Sequence, residues 1–106
     1  MDNYQLVICN FPHTANAQLI AETLLKAQLC ACVNVLPKVE SWYIWEGKLE
    51  HANEVTLLIK TTANHYLALE QLIKSLHPYQ IPEIIALDVA AGYQQYLKWI
   101  STALAS

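Results

Sequence analysis

Apolar and polar residues alternate along this chain with two different periods, and the switches between them outline its elements. Tyr4 to Cys9 is short, β-branched and apolar, bounded by Asn10, Pro12 and Thr14, and reads as a buried strand. Thr14 is a good N-cap, and beyond it Ala17, Ile20, Ala21, Leu24 and Leu25 form a helical stripe. That spacing predicts a first helix over about Ala15 to Gln28. Cys32 to Trp45 is extended and rich in Val, Trp, Tyr and Ile, and Pro37 within it implies a bulge or an edge position. Glu46-Gly47-Lys48 is a turn, after which Leu49 to Thr61 returns as a strand. Val55, Leu57 and Ile59 share one of its faces, against Glu54, Thr56, Leu58 and Lys60 on the other. Tyr66, Leu69, Ile73 and Leu76 predict a second helix over about Ala63 to Leu76, which His77-Pro78 ends. Ile84 to Ala90 reads as a last strand, and Tyr93, Tyr96, Leu97, Ile100 and Leu104 as the stripe of a C-terminal helix.

The expected order is therefore β-α-β-β-α-β plus a terminal helix, an α+β protein with the split βαβ arrangement of ferredoxin-like folds. Two helices would cover one face of a four-stranded antiparallel sheet. No linker, repeat or low-complexity stretch divides residues 1–106, so one domain is expected. Strand length adds a decisive number. Fourteen residues of hairpin arm reach roughly 46 Å, whereas a helix of that length covers about 21 Å. The hairpin must overhang its own domain, and its tip carries Trp42, Tyr43, Ile44 and Trp45. Such an arm invites aggregation unless a neighbouring subunit pairs with it.

Composition sharpens that expectation. Apolar residues make up 55% and charged residues 14% of the chain, with mean hydropathy +0.22. Disorder is thereby excluded. A chain of this size buries only about 65% of its unfolded surface, so part of the apolar content must lie outside, where self-association would use it. Six Lys, no Arg and nine acidic residues give a net charge of −3, which argues against nucleic acid. No apolar run approaches a membrane span, and Met1-Asp2-Asn3-Tyr4 lacks the character of a signal peptide. Three cysteines without a Cys-x-x-Cys pair make no disulfide framework. No membrane partner and a cytoplasmic location are expected.

Four stretches together carry a resemblance. Cys32-Val33-Asn34, Tyr43-Ile44-Trp45-Glu46-Gly47-Lys48-Leu49, Ile59-Lys60-Thr61-Thr62 and His77-Pro78-Tyr79-Gln80-Ile81-Pro82-Glu83 resemble the CutA family, the divalent-cation tolerance proteins. The resemblance runs from about Leu6 to Leu104. It implies a ferredoxin-like protomer in a tight homotrimer, with hairpin arms pairing between subunits. It also implies a role in tolerance to copper and other divalent cations, with copper binding described for some members. The ligands proposed in that family are a Cys ending the first strand and a His-His pair before Pro-Tyr-Gln. Cys9 and His77 match two of these, while Leu76 stands where the first His of the pair would be.

The residues allow the same chemistry to be weighed directly. Thiolate and imidazole suit Cu(I) and zinc. Antiparallel first and last strands would bring His77 to the edge where Cys9 lies, and His13, in the turn after Cys9, would supply a third ligand. Two or three such ligands imply exchangeable binding of copper or another divalent ion and no obligatory cofactor. Against this, Cys9 also reads as a buried apolar thiol and His77 as a helix C-terminal residue. Cys30 and Cys32, two apart, would share a face of a strand as core filling or a soft-metal pair. His51 and His65 read as surface residues. A Cys9–His77 nucleophile and base pair lacks an orienting third group, so no enzyme is expected. Two other classes remain open. One is a trimeric small-molecule sensor resembling the PII signalling proteins, with clefts between subunits. There Trp45, Lys60, Tyr79 and Glu83 would hold an anionic or amphoteric ligand. The other is a trimeric scaffold displaying its C-terminal helix to partner proteins.

Overall fold

The structure, a computed structural model, describes residues 3–105. Met1 and Asp2, on which the expectation of no signal peptide partly rests, and Ser106 lie outside the described residues. The order is β1 (Tyr4–Phe11), α1 (Thr14–Lys26), β2 (Cys32–Trp45), β3 (Lys48–Thr62), α2 (Ala63–Leu76), β4 (Ile84–Asp88) and α3 (Gln94–Leu104). The strands form one antiparallel sheet in the order β2-β3-β1-β4. This is the ferredoxin-like α+β arrangement that the periodicities predict.

The faces follow from strand alternation. Val7, Cys9 and Phe11 of β1 and Leu57 and Ile59 of β3 turn to one side and are fully buried. Ile20 and Leu24 of α1 and Leu69 and Ile73 of α2 close over them. Each such side chain contributes about 1.5–3 kcal/mol by leaving water. On the opposite face lie Leu6, Ile8, Leu58, Ile85 and Leu87. α3 reaches that side at the end where the Tyr4 and Ser101 hydroxyls share a 2.5 Å hydrogen bond. Ile85 and Leu87 stay about half exposed.

The hairpin overhangs as its length requires. β1 pairs with β3 only from Val55 to Thr62. Beyond that point Val39–Trp45 and Lys48–Glu54 form a two-stranded ribbon, and the molecule measures 44 × 26 × 22 Å. The register shifts between Leu36 and Val39, the bulge that Pro37 announces, with Lys38 at φ 59°. Glu46 (φ 51°) and Gly47 (φ 80°) make the two-residue turn.

Some boundaries differ from the sequence reading. β1 continues to Phe11 because Asn10 and Phe11 still pair with Thr56 and Val55. β4 stops at Asp88, the last residue with a β1 partner, Gln5. His13, extended at φ −137°, is the N-cap of α1, and Thr14 is already helical. Gln28, expected within the helix, is left-handed at φ 56° and ends it. Its N–H bonds the Leu25 carbonyl and that of Leu29 the Leu24 carbonyl, a Schellman motif. Cys30 precedes β2 and is buried in the core, while Cys32 pairs with Lys60 on the open face. The two thiols therefore do not form a pair on one face. His65 is half-buried and bonds the Thr62 hydroxyl at 2.7 Å.

Candidate functional site

The segment after α2 brings two groups of sequence-predicted residues to the free end of β1. Pro78 halts the helix, and the chain turns so that His77 stacks on Phe11, ring centroids 4.4 Å apart, with Tyr79 beyond it. His77 thus comes to the β1 edge that carries Cys9, as the antiparallel β1–β4 pairing predicts.

The state of these two side chains decides what they can do. His77 Nε2 lies 2.7 Å from the Asn10 carbonyl oxygen, and the Tyr79 N–H reaches Nδ1 at 3.1 Å. A carbonyl only accepts and an N–H only donates, so Nε2 carries the proton and the Nδ1 lone pair is occupied. Burial lowers the His77 pKa against the opposing effects of Asn10 and Glu54, which keeps the ring neutral. Cys9 is fully buried, and burial, followed by the charges of Glu83 and Glu54, pushes its thiol up to about 12. Its sulfur is 4.0 Å from the Asn10 carbonyl oxygen. A metal needs a thiolate and a free imidazole lone pair. Within one chain a metal at this pair would have to release the Cys9 proton and displace the Tyr79 N–H from Nδ1, so the pair is not preformed as a site. His13 is exposed at the α1 N-cap. Among the described residues no group of three or more His, Cys, Asp or Glu is placed to hold a metal ion.

The second group does come together around a space. Trp45, Tyr79 and Glu83 line a cavity of about 330 Å³ between the hairpin and the segment 79–83. Tyr43, Glu50, Glu54 and Asn10 complete its walls. Tyr79 donates its hydroxyl proton to Glu54 Oε2 at 2.6 Å, and burial together with that carboxylate pushes the phenol pKa up. Asn10 ties the site together. Its Nδ2 donates to Glu83 at 3.1 Å, and its Oδ1 accepts from the Thr56 hydroxyl at 2.6 Å.

Lys60, the cation expected beside them, lies elsewhere within the chain. It stands six residues further along β3, roughly 20 Å away. There its ammonium bonds Asn34 Oδ1 and lies 3.9 Å from Cys32 Sγ. The sequence reading also missed Glu54, which is 8% exposed. Tyr43 and Glu50 were missed as well. A two-residue turn at Glu46-Gly47 places those two opposite one another, so counting back from the turn would have found them.

The comparisons agree with the fold. The family pattern described as CutA1 divalent ion tolerance protein matches residues 5–103. The divalent-cation tolerance protein CutA of Citrobacter koseri is 44% identical over 99 residues, covering 93% of this chain and 86% of the relative. The crystal structure of CutA from Xylella fastidiosa superposes with a TM-score of 0.92 at 40% identity, covering 95% of this chain and 97% of that one. A structure from Archaeoglobus fulgidus, described as a periplasmic divalent cation tolerance protein, gives 0.92 at 32% identity, covering 95% and 98%.

Proposed function

The chain belongs to the CutA1 family of divalent ion tolerance proteins, and from that premise we propose that it acts in divalent-cation tolerance as a homotrimer, without a resident metal at Cys9 and His77. The observation that carries the assembly is the hairpin. Trp42, Ile44 and Leu49 are 61–69% exposed on a ribbon that pairs with no third strand among the described residues. Exposed apolar side chains beside free strand edges favour pairing with another copy. Ile85 and Leu87, about half exposed on the open sheet face, add a second apolar surface. Closure into a ring would leave no hairpin unpaired.

Metal enters this reading as an exchangeable ion met by the assembled protein. We also propose no catalytic role, and a cytoplasmic location. Three free thiols suit a reducing compartment, whereas the Archaeoglobus relative is described as periplasmic.

The test is copper challenge of a bacterial strain lacking its own CutA. The intact chain and Cys9→Ala are expected to restore growth equally. A variant with Asn-Gly replacing residues 42–51 is expected to fail. Cu(I) titration of the purified protein should show binding no tighter than about micromolar, the same in Cys9→Ala. Tight binding abolished by Cys9→Ala would contradict the metal-free reading of that pair. No growth difference with the intact chain would contradict the role in tolerance.

A further inference from the structure

The three cysteines differ in their surroundings, and the tolerance role leaves Cys32 unexplained. Cys9 and Cys30 sit in the core, where burial pushes both thiols up to about 12 and keeps them unreactive. Cys32 is half-buried on the open sheet face, directly opposite Lys60 in the β2–β3 register. Lys60 Nζ lies 3.9 Å from its sulfur. That ammonium also bonds Asn34 Oδ1 and forms no ion pair among the described residues. Tyr96 of α3 flanks the same sulfur: burial, and then the charge and hydrogen bond of Cys32, push its phenol up. A partly exposed thiol beside a cation has the surroundings of reactive cysteines. The pair also lies off the two apolar surfaces available for self-association. Cys32 is at the other end of β2 from Trp45, roughly 40 Å away. Leu87 shares its row across the sheet but lies on the opposite edge strand, about 14 Å distant.

We propose that Cys32 and Lys60 form a peroxide-responsive pair, in which the lysine nitrogen captures the oxidised sulfur as a reversible S–N bond. Hydrogen peroxide transfers one oxygen to the thiol, giving Cys32 sulfenic acid and water. Lys60 gives its ammonium proton to solvent, and its nitrogen lone pair attacks the sulfur. The S–N bond forms as the S–O bond breaks, and the departing hydroxide leaves as water with a second proton from that nitrogen. In total the sulfur loses two electrons, one peroxide is reduced and two waters form. Geometry selects lysine as the capturing group. A sulfenic acid ordinarily condenses with a second thiol, but Cys9 and Cys30 are buried in the core on the helix-covered face. Lys60 brings a nucleophilic nitrogen to 3.9 Å, a gap that its flexible four-carbon stem closes without moving either strand. Two molecules of a reducing thiol reverse the bond. The first takes the sulfur as a mixed disulfide and releases the lysine, and the second frees Cys32. Capture thus holds the sulfur short of irreversible sulfinic acid.

The test treats the purified full chain with hydrogen peroxide and weighs its peptides by mass spectrometry. A Cys32–Lys60 cross-link is expected, lighter than its two peptides by two hydrogens and lost on adding dithiothreitol. Lys60→Arg keeps a positive charge beside the sulfur, but its guanidinium holds its protons and has no amine to give. That variant should lose the link and accumulate sulfinic acid at Cys32, and Cys32→Ser should show neither product. The cross-link is read on the unaltered protein, so a variant that misfolds leaves the test standing. Cys32 that stays unoxidised, as when a neighbouring subunit covers it, would overturn the proposal. So would a Cys32 disulfide between chains in place of the link, a link to a different lysine, or sulfinic acid that accumulates equally in the parent and in Lys60→Arg.

Discussion

His77 illustrates how one side chain can serve structure at the position where a ligand was expected. Its two nitrogens join the end of β1 to the start of segment 79–83 through Asn10 and Tyr79. His77→Ala removes the imidazole partner of that carbonyl and of that N–H and the stack on Phe11, so it should destabilise the fold by about 1–3 kcal/mol in urea titrations. The ring also makes stability depend on pH. Its pKa in the fold lies below the unfolded value near 6.5. Between the two values the unfolded chain binds more protons, so stability rises with pH. The contribution is present in full above the unfolded value and is lost as pH falls through the folded one. Urea midpoints compared at about pH 7.5 and about pH 5.5 should therefore fall more in the intact chain than in His77→Ala. Equal losses would remove His77 from the account. Sequence could bring His77 to the right edge through strand topology. It could not show that both lone-pair positions were taken, because the Tyr79 N–H that fills one is placed by the backbone turn after Pro78.

Element boundaries rest on a few backbone conformations, and these decide which were legible. The helical stripes and the strand alternation were strong enough to give every element in order. Gly47 announced the hairpin turn, since only glycine adopts φ 80° at no steric cost. Open space surrounds its missing Cβ, so Gly47→Ala should lower stability by about 1 kcal/mol through backbone strain alone. Gln28 and Lys38 hold the same left-handed region without any glycine to mark them, which is why the end of α1 was read two residues too far. Gln28→Gly should raise stability by about 0.5–1 kcal/mol, because the Schellman bonds of Leu29 and Gln28 would remain while the Cβ strain disappears. A thermal melt that falls for this variant would show that Gln28 makes a contact worth more than that strain. Thr14 misled for a different reason. β1 runs on to Phe11, so the chain is still extended at His13 and the helix begins at Thr14 itself.

At the scale of the whole molecule, strand length against helix length was the most informative quantity in the sequence. The expected reach of roughly 46 Å compares with an observed long axis of 44 Å. The apolar excess is visible on the hairpin and on the open sheet face, where Ile85 and Leu87 remain about half exposed. The cavity was only partly legible. Trp45, Tyr79 and Glu83 do line one cavity, but its acidic character was not legible, because the walls are assembled from Asn10, the hairpin and segment 79–83, which are remote in sequence. Lys60, expected with them in a cleft between subunits, lies within its own chain beside Cys32 and Asn34.

The central claim is that this chain works as a trimer built through its hairpin, and light scattering at micromolar concentration tests it most directly. The account predicts a mass of about 36 kDa, three copies of 12.0 kDa, and a single-copy mass when Asn-Gly replaces residues 42–51. An intact chain that elutes at 12.0 kDa, or a shortened chain that still forms the trimer, would contradict it.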